Sequence, residues 1–218
     1  MTPEQELLRR VAWVAAEIAR TVVGTTGAHP DIYFAKGSGD LLYRLRLQSI
    51  GNWMNSGEHK DYLFNMIRLS AEAGGYDCVI ISTEAWAMKP SQKFLDITTH
   101  EAQLELAKRG VSWLAENGYG ERAETMIVTG QTAEHFTVVS LPFDRDTDGT
   151  ITAIHGPTRP AEALPQGNFM GRQKMFGPQD PDMAEMYAFL KSHGLSDKLG
   201  SALNTSAQLI NIATETTV

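Results

Sequence analysis

The chain has 218 residues, 42% hydrophobic and 21% charged, a balance that excludes global disorder, collagen-like repetition and a coiled coil. Its 26 acidic and 19 basic side chains give a formal charge of −7, which repels a phosphate backbone, so no nucleic-acid partner is expected. No stretch reaches the roughly 18 apolar residues of a membrane helix, no secretory pattern opens the chain, and Cys78 is the only cysteine, so a reducing, cytoplasmic location without a membrane is expected.

The first residues read TPEQ, with Thr2 placed as an N-cap, Pro3 in the first helical turn and Gln5 positioned to complete a capping box. Leu7, Leu8, Val11, Val14, Ala15, Ile18, Ala19 and Val22 then follow helical spacing up to Gly24. This predicts an amphipathic helix over 3–23 whose stripe packs on the chain's own core. Residues 31–35 read as a strand and KGSG at 36–39 as a turn; a phosphate loop would place Lys after the glycines with Ser or Thr next, and that order is absent. Leu41, Tyr43, Leu45 and Leu47 alternate with Leu42, Arg44, Arg46 and Gln48, which favours a second strand and a hairpin. Because Leu42, Leu45, Ser49 and Trp53 also fit one helical face, residues 41–50 stay open between strand and helix.

Residues 60–73 predict a helix with Leu63, Met66, Ile67 and Ser70 inward, stopped at Gly74-Gly75. Cys78 to Ile81 is apolar on both faces, as in a central strand covered on both sides, and makes Cys78 a small buried hydrophobe. A Thr98 to Glu101 capping box and Asn117-Gly118 bound one further helix. Between Glu124 and His155, ETMIVTG, HFTVVSLPF and TITAIH follow as three strands with short turns. The order α-ββ-α-β-α-βββ predicts an α+β fold: a mixed sheet with a C-terminal three-strand antiparallel meander, helices packed on the sheet, and an extended C-terminal arm. The compact domain spans 1–155; residues 156–218 form a Gly- and Pro-rich arm with a short helix near 182–193.

DRDTDGTIT at 144–152 matches the calcium-loop pattern at Asp144, Asp146, Asp148, Gly149 and Ile151, but His155 stands where a bidentate Glu closes the cage. With strands on both sides, Phe143 opposite Ile151 and Leu141 opposite Ala153, Asp148-Gly149 reads as a hairpin turn. It offers at most a weak, exposed Ca2+ site at Asp144, Asp146 and Asp148, and no other cofactor is expected.

Glu84, at the end of the buried strand beside Trp86, and Glu124, opening a later strand after Arg122, are the candidate catalytic carboxylates. Paired, they offer an acid, a base or metal ligands; an Arg122–Glu124 ion pair or a hydrogen-bonded buried Glu is the plain structural alternative. Lys89 lies five residues beyond Glu84, which breaks the Glu-x-Lys nuclease spacing. His29, His59, His100, His135, His155 and His193 are dispersed, with only His135 and His155 placed to approach across adjacent strands. The chain has no H-E-x-x-H, C-x-x-C or G-x-S-x-G. Trp13, Trp53, Trp86 and Trp113 read as core or interface anchors.

Two functions follow. One is a non-enzymatic binding or assembly protein whose arm contacts itself or another protein, since a long Gly- and Pro-rich segment buries little of its own surface and orders more easily against a partner. The other is a metal-assisted hydrolase with a carboxylate site around Glu84 and Glu124, so whether the chain is an enzyme stays open.

Overall fold

A computed structural model of the chain describes residues 1–27, 30–46, 57–157, 176, 185, 188–189, 192–194 and 208–213. Helix α1 (Pro3–Thr21) starts as its sequence dictates: the Thr2 hydroxyl accepts the Gln5 N–H at 3.2 Å and the Gln5 side chain accepts the Thr2 N–H at 2.9 Å. Strands β1 (Asp31–Ala35) and β2 (Leu41–Arg46) form a hairpin, α2 (Gly57–Gly74) follows, and β3 (Cys78–Pro90) runs for 13 residues. Three short helices, α3 (Gln92–Leu95), α4 (His100–Ala107) and α5 (Val111–Glu116), precede β4 (Gly120–Gln131), β5 (Phe136–Arg145) and β6 (Ile151–Ile154). Strand β7 (Gln208–Asn211) comes from the C-terminal segment and pairs with β2.

The seven strands of the described residues join one sheet in the order β6-β5-β4-β3-β1-β2-β7, every pair antiparallel, curled into a half-barrel. This corrects the expected α+β arrangement of a mixed sheet, a distinct C-terminal meander and helices layered over it. Two local causes explain the difference. The apolar run Cys78–Ile81 is only the buried start of a strand that continues through the mixed-polarity residues Thr83 to Pro90. It pairs with β4 over twelve positions, which fuses the three-strand unit to β1 and β2. The helix expected over 98–117 breaks at Gly110, which adopts φ +88°, and the cap of α4 is Thr99, whose hydroxyl accepts the Ala102 N–H at 3.3 Å. Residues 47–56, 158–175 and most of the predicted 182–193 helix lie outside the described residues, although Glu185, Ala188, Phe189 and Ser192 are helical.

Side-chain alternation along β3 explains its double-sided apolar pattern. Cys78 and Ile80 join a cluster with Leu7, Val11, Val14 and Ile18 of α1, together with Tyr33, Met126, Val128, Leu141 and Ile151. Val79 and Ile81 join the opposite cluster, with Phe64, Ile67 and Ala71 of α2 and Ile32 and Phe34 of β1. Burial pushes the Cys78 thiol up to about 11, so it behaves as an inert core group.

A buried polar network ties α1 to the first hairpin. Arg10, 2% exposed, donates from Nη2 to the carbonyls of Gly37 and Gly39 at 2.7 and 3.1 Å. Its Nε lies 3.1 Å from Glu6 Oε1, an ion pair without hydrogen-bond alignment. Glu6 Oε1 also accepts from Arg9 Nη2 at 2.8 Å and from the Gly39 N–H at 3.3 Å, while Asp77 accepts the Gly37 N–H at 2.6 Å. Carboxylates thus occupy both glycine amides, where a phosphate loop would present them to a ligand.

Burial alone raises the Glu6 carboxyl, but the hydrogen bonds from Arg9 and Gly39, with the nearby Arg10 charge, hold it below its ordinary value. A lowered folded-state value means that Glu6 contributes fully at neutral pH and loses that contribution as pH falls through the folded-state value. Arg10→Met removes one of the two cations beside Glu6 and leaves the Gly37 carbonyl without its donor, while Arg9 still bonds Glu6 and the Gly39 carbonyl. It is expected to cost about 2 kcal/mol in urea unfolding at neutral pH, with the gap to wild type narrowing in acid. Equal unfolding midpoints at neutral pH would show that the network contributes nothing.

Candidate functional site

Glu84 lies opposite Met126 and Glu124 opposite Trp86, so both carboxylates project from one face of the β3–β4 ladder, one diagonal step apart. Because β3 extends to Pro90, Glu84 sits in mid-strand and not at the strand end that the sequence predicts. Arg145, the last residue of β5, reaches both. Its Nη2 donates to Glu84 Oε2 and its Nε to Glu124 Oε2, each at 2.9 Å. Its Nη1 donates to the carbonyls of Thr26 and Gly149 at 2.6 and 2.7 Å, and its Cζ lies 4.9 Å from the Phe143 ring centroid.

A single planar guanidinium therefore joins the loop after α1, two central strands and the β5–β6 turn, a task suited to a fork of several fixed donors. The group is largely withdrawn from water, with side-chain exposures of 17% for Arg145, 33% for Glu84 and 27% for Glu124. Gly27 closes over Glu84 so tightly that a Cβ there would lie 2.6 Å from Oε1.

Arg122, the partner that the sequence offers for Glu124, stacks instead over Trp86 with Cζ 3.5 Å from the ring centroid. Arg145 is the residue that sequence reasoning missed. Its signal was parity, since it shares a strand face with Leu141 and Phe143, but the acidic residues around it marked the segment as loop.

The hairpin that carries Arg145 contains a bulge. Phe143 pairs with Ile154, Asp144 with Ala153 and Arg145 with Ile151, leaving Thr152 as the extra residue. The expected register, Phe143 opposite Ile151 and Leu141 opposite Ala153, does not form, and the bulge lets both Ile151 and Ile154 meet the α1 cluster.

In the turn, the Asp146 carbonyl accepts the Gly149 N–H at 3.2 Å, and Asp146 Oδ1 and Asp148 Oδ1 each accept the Thr150 N–H at 2.9 Å. Gly149 takes φ +87°, as an Asp-Gly hairpin turn requires. Hydrogen bonding with Asp146, then the Thr150 hydroxyl and amide, hold the Asp148 carboxyl down to about 2.

The structure thus brings Asp146 and Asp148 together over one amide, whereas Asp144 Oδ2 lies 2.9 Å from His155 Nε2. Among the described residues no three His, Cys, Asp or Glu side chains are arranged to hold a metal. His135 and His155 do not meet: His135 precedes β5, and the His155 N–H donates to the Pro142 carbonyl at 2.8 Å. Among the described residues no helix is long and apolar enough to cross a membrane.

No protein-family model, curated protein or solved structure matches the chain. Chemically, Arg145 fixes the site as an ion-pair clamp. A guanidinium keeps its charge and its protons at any working pH, and a divalent ion bridging Glu84 and Glu124 would have to displace it.

Arg145→Met leaves two carboxylates on one face without their shared cation and is expected to cost about 3 kcal/mol in urea unfolding. Adding Glu124→Gln should recover part of that loss; an unchanged unfolding midpoint in the single variant would remove the clamp's structural role. Asp146→Ala deletes an acceptor for the turn's own amides, so its melting temperature should fall by the same margin with and without millimolar calcium. A calcium-dependent difference would instead assign the aspartates to an ion.

Proposed function

We propose that the chain is a non-enzymatic binding or assembly protein whose C-terminal segment, residues 156–218, contacts another subunit, with a second copy of the same chain as the partner argued here. The observation that carries this reading is β7. Every other described strand comes from residues 31–154, yet four residues near the C-terminus add to the end of the described sheet, with Ile210 and Ile212 entering the α1-side core. A terminal segment that docks by strand addition and two apolar anchors has the chemistry by which such segments engage either their own sheet or a neighbouring copy.

The alternative, a metal-assisted hydrolase, has in its favour that Glu84 and Glu124 share one face. Against it stands Arg145, which already occupies the position a bridging cation would take.

Light scattering on the full chain across a dilution series tests the assembly reading. The expected result is a mass of two or more chains that falls on dilution, and ending the chain at Pro157, which removes nearly the whole segment, should reduce it to a single chain whose circular-dichroism spectrum keeps the strand signal of β1 to β6. A full chain that is monomeric at every concentration overturns the reading.

A further inference from the structure

Beyond Glu84 the β3–β4 ladder leaves the main sheet. Among the described residues, Ala85 to Pro90 pair only with β4, and β5 joins β4 from Thr125 onward. Helices α3 and α5 pack on this ribbon with Phe94 and Leu114 buried, and neither residue belongs to the two main core clusters. The ribbon and its helices carry a linked strip of cations on aromatic rings.

Arg122 stacks on Trp86, and its Nη1 lies 3.5 Å from the Ser112 hydroxyl. Next to Ser112, Trp113 carries Arg109 at 4.6 Å from its ring centroid and stacks on Tyr119 at 5.9 Å, which in turn carries Lys93 at 4.1 Å. Lys93, Arg109 and Arg122 are exposed, and none forms an ion pair with any described carboxylate. Trp86 is 47% exposed and Leu95 56%.

Unneutralised cations in a chain of net charge −7 are matched to an anionic partner, and the mixture of Trp, Tyr and Arg is the composition of protein interface hot spots. Single-stranded nucleic acid fits less well, because the cations already lie over the rings on which bases would stack and the whole chain repels phosphate. The sequence itself contains a complementary stretch. Residues 179–186 read QDPDMAEM, with Asp180, Asp182 and Glu185 to meet the cations, and Met183 and Met186 suited to the exposed Trp86 edge. Apart from exposed Glu185, that stretch lies outside the described residues, and its chemistry alone enters here.

We infer that the strip of Trp86, Trp113 and Tyr119 with Lys93, Arg109 and Arg122 receives the acidic stretch 179–186 from a second copy of the chain. This deepens the assembly reading and rests on it, by naming the surface to which the C-terminal segment docks.

The experiment measures self-association of the full chain by analytical ultracentrifugation at low and high salt, with circular dichroism as the folding control. Arg109→Glu with Arg122→Glu, both at exposed positions, should weaken association about tenfold or more, and added salt should weaken it in wild type. Asp180→Arg with Asp182→Arg should do the same, and combining the two charge-reversed chains should restore association.

A labelled synthetic peptide of residues 176–190 should bind the wild-type chain and lose about tenfold in affinity against the Arg109→Glu, Arg122→Glu chain. Wild-type association in both charge-reversed chains, or tighter binding of an oligothymidine than of the peptide, overturns the inference. If truncation at Pro157 abolishes association while the strip variants leave it intact, the strip alone fails; a monomeric wild type ends the strip and the assembly reading together.

Discussion

The pairing of β3 with β4 is the constraint on which the rest of the structure depends. Its twelve pairs run from Val79–Gln131, inside the core, to Pro90–Gly120, outside it. The inner part joins the β1–β2 hairpin to β5 and β6 and is fixed in register by burial on both faces. A slip of one residue would exchange Ile80 and Ser82 for Val79 and Ile81 beneath α1. The outer part follows from that register without a core of its own. Two strands alone are marginal in water, so α3 and α5 supply cover through Phe94 and Leu114, which is why three short helices interrupt what is otherwise a continuous antiparallel sheet.

Arg145 stands where the inner ladder becomes the outer one. Two carboxylates on neighbouring strands of a half-buried surface repel each other, and each loses part of its hydration. One guanidinium answers both, and its remaining donors satisfy two carbonyls from separate loops. The bulge at Thr152 belongs to the same solution. It keeps Ile151 in the core opposite Arg145 while the turn carbonyl of Gly149 bends back to the guanidinium. A carboxylate pair that looks like an acid-base site when read along the chain is, in three dimensions, the two arms of a fastening.

The parts of this structure legible in the sequence are those governed by near-neighbour rules. Thr2, Pro3 and Gln5 fix the start of α1, Asp31 to Ala35 is a short apolar run buried throughout, Leu41 to Arg46 alternate, and Asp148-Gly149 marks the turn between β5 and β6. What escaped was set by pairing at a distance. Thr83 to Pro90, TEAWAMKP, carries Glu84, Lys89 and Pro90 and has no run of β-branched residues, so its strand is set by pairing with β4. The QLIN of β7 looks like polar tail until Leu42 and Ile210 meet across the pairing with β2. Arg145 was hidden by its acidic neighbours, since the residues that mark a turn in sequence also conceal a strand end. At the candidate site, both carboxylates were visible and their cation was not.

The placement of cations follows from where each lies along this architecture. Arg9, Arg10, Arg44 and Arg145, all at least partly withdrawn from water, meet carboxylates, and the most withdrawn of them, Arg10, also takes up backbone carbonyls. In a low-dielectric setting a charge needs an opposite charge and hydrogen bonds, or it is not tolerated. Toward the outer end of the ladder water meets that need, and a ring face is sufficient company for Arg109 and Arg122. A guanidinium stacked flat on an indole engages the ring through its face, so donors at its rim stay available for a carboxylate in the plane of the group. The same chain that neutralises its inner arginines therefore presents outer ones that are held in place by aromatic contact and still able to bind an anion.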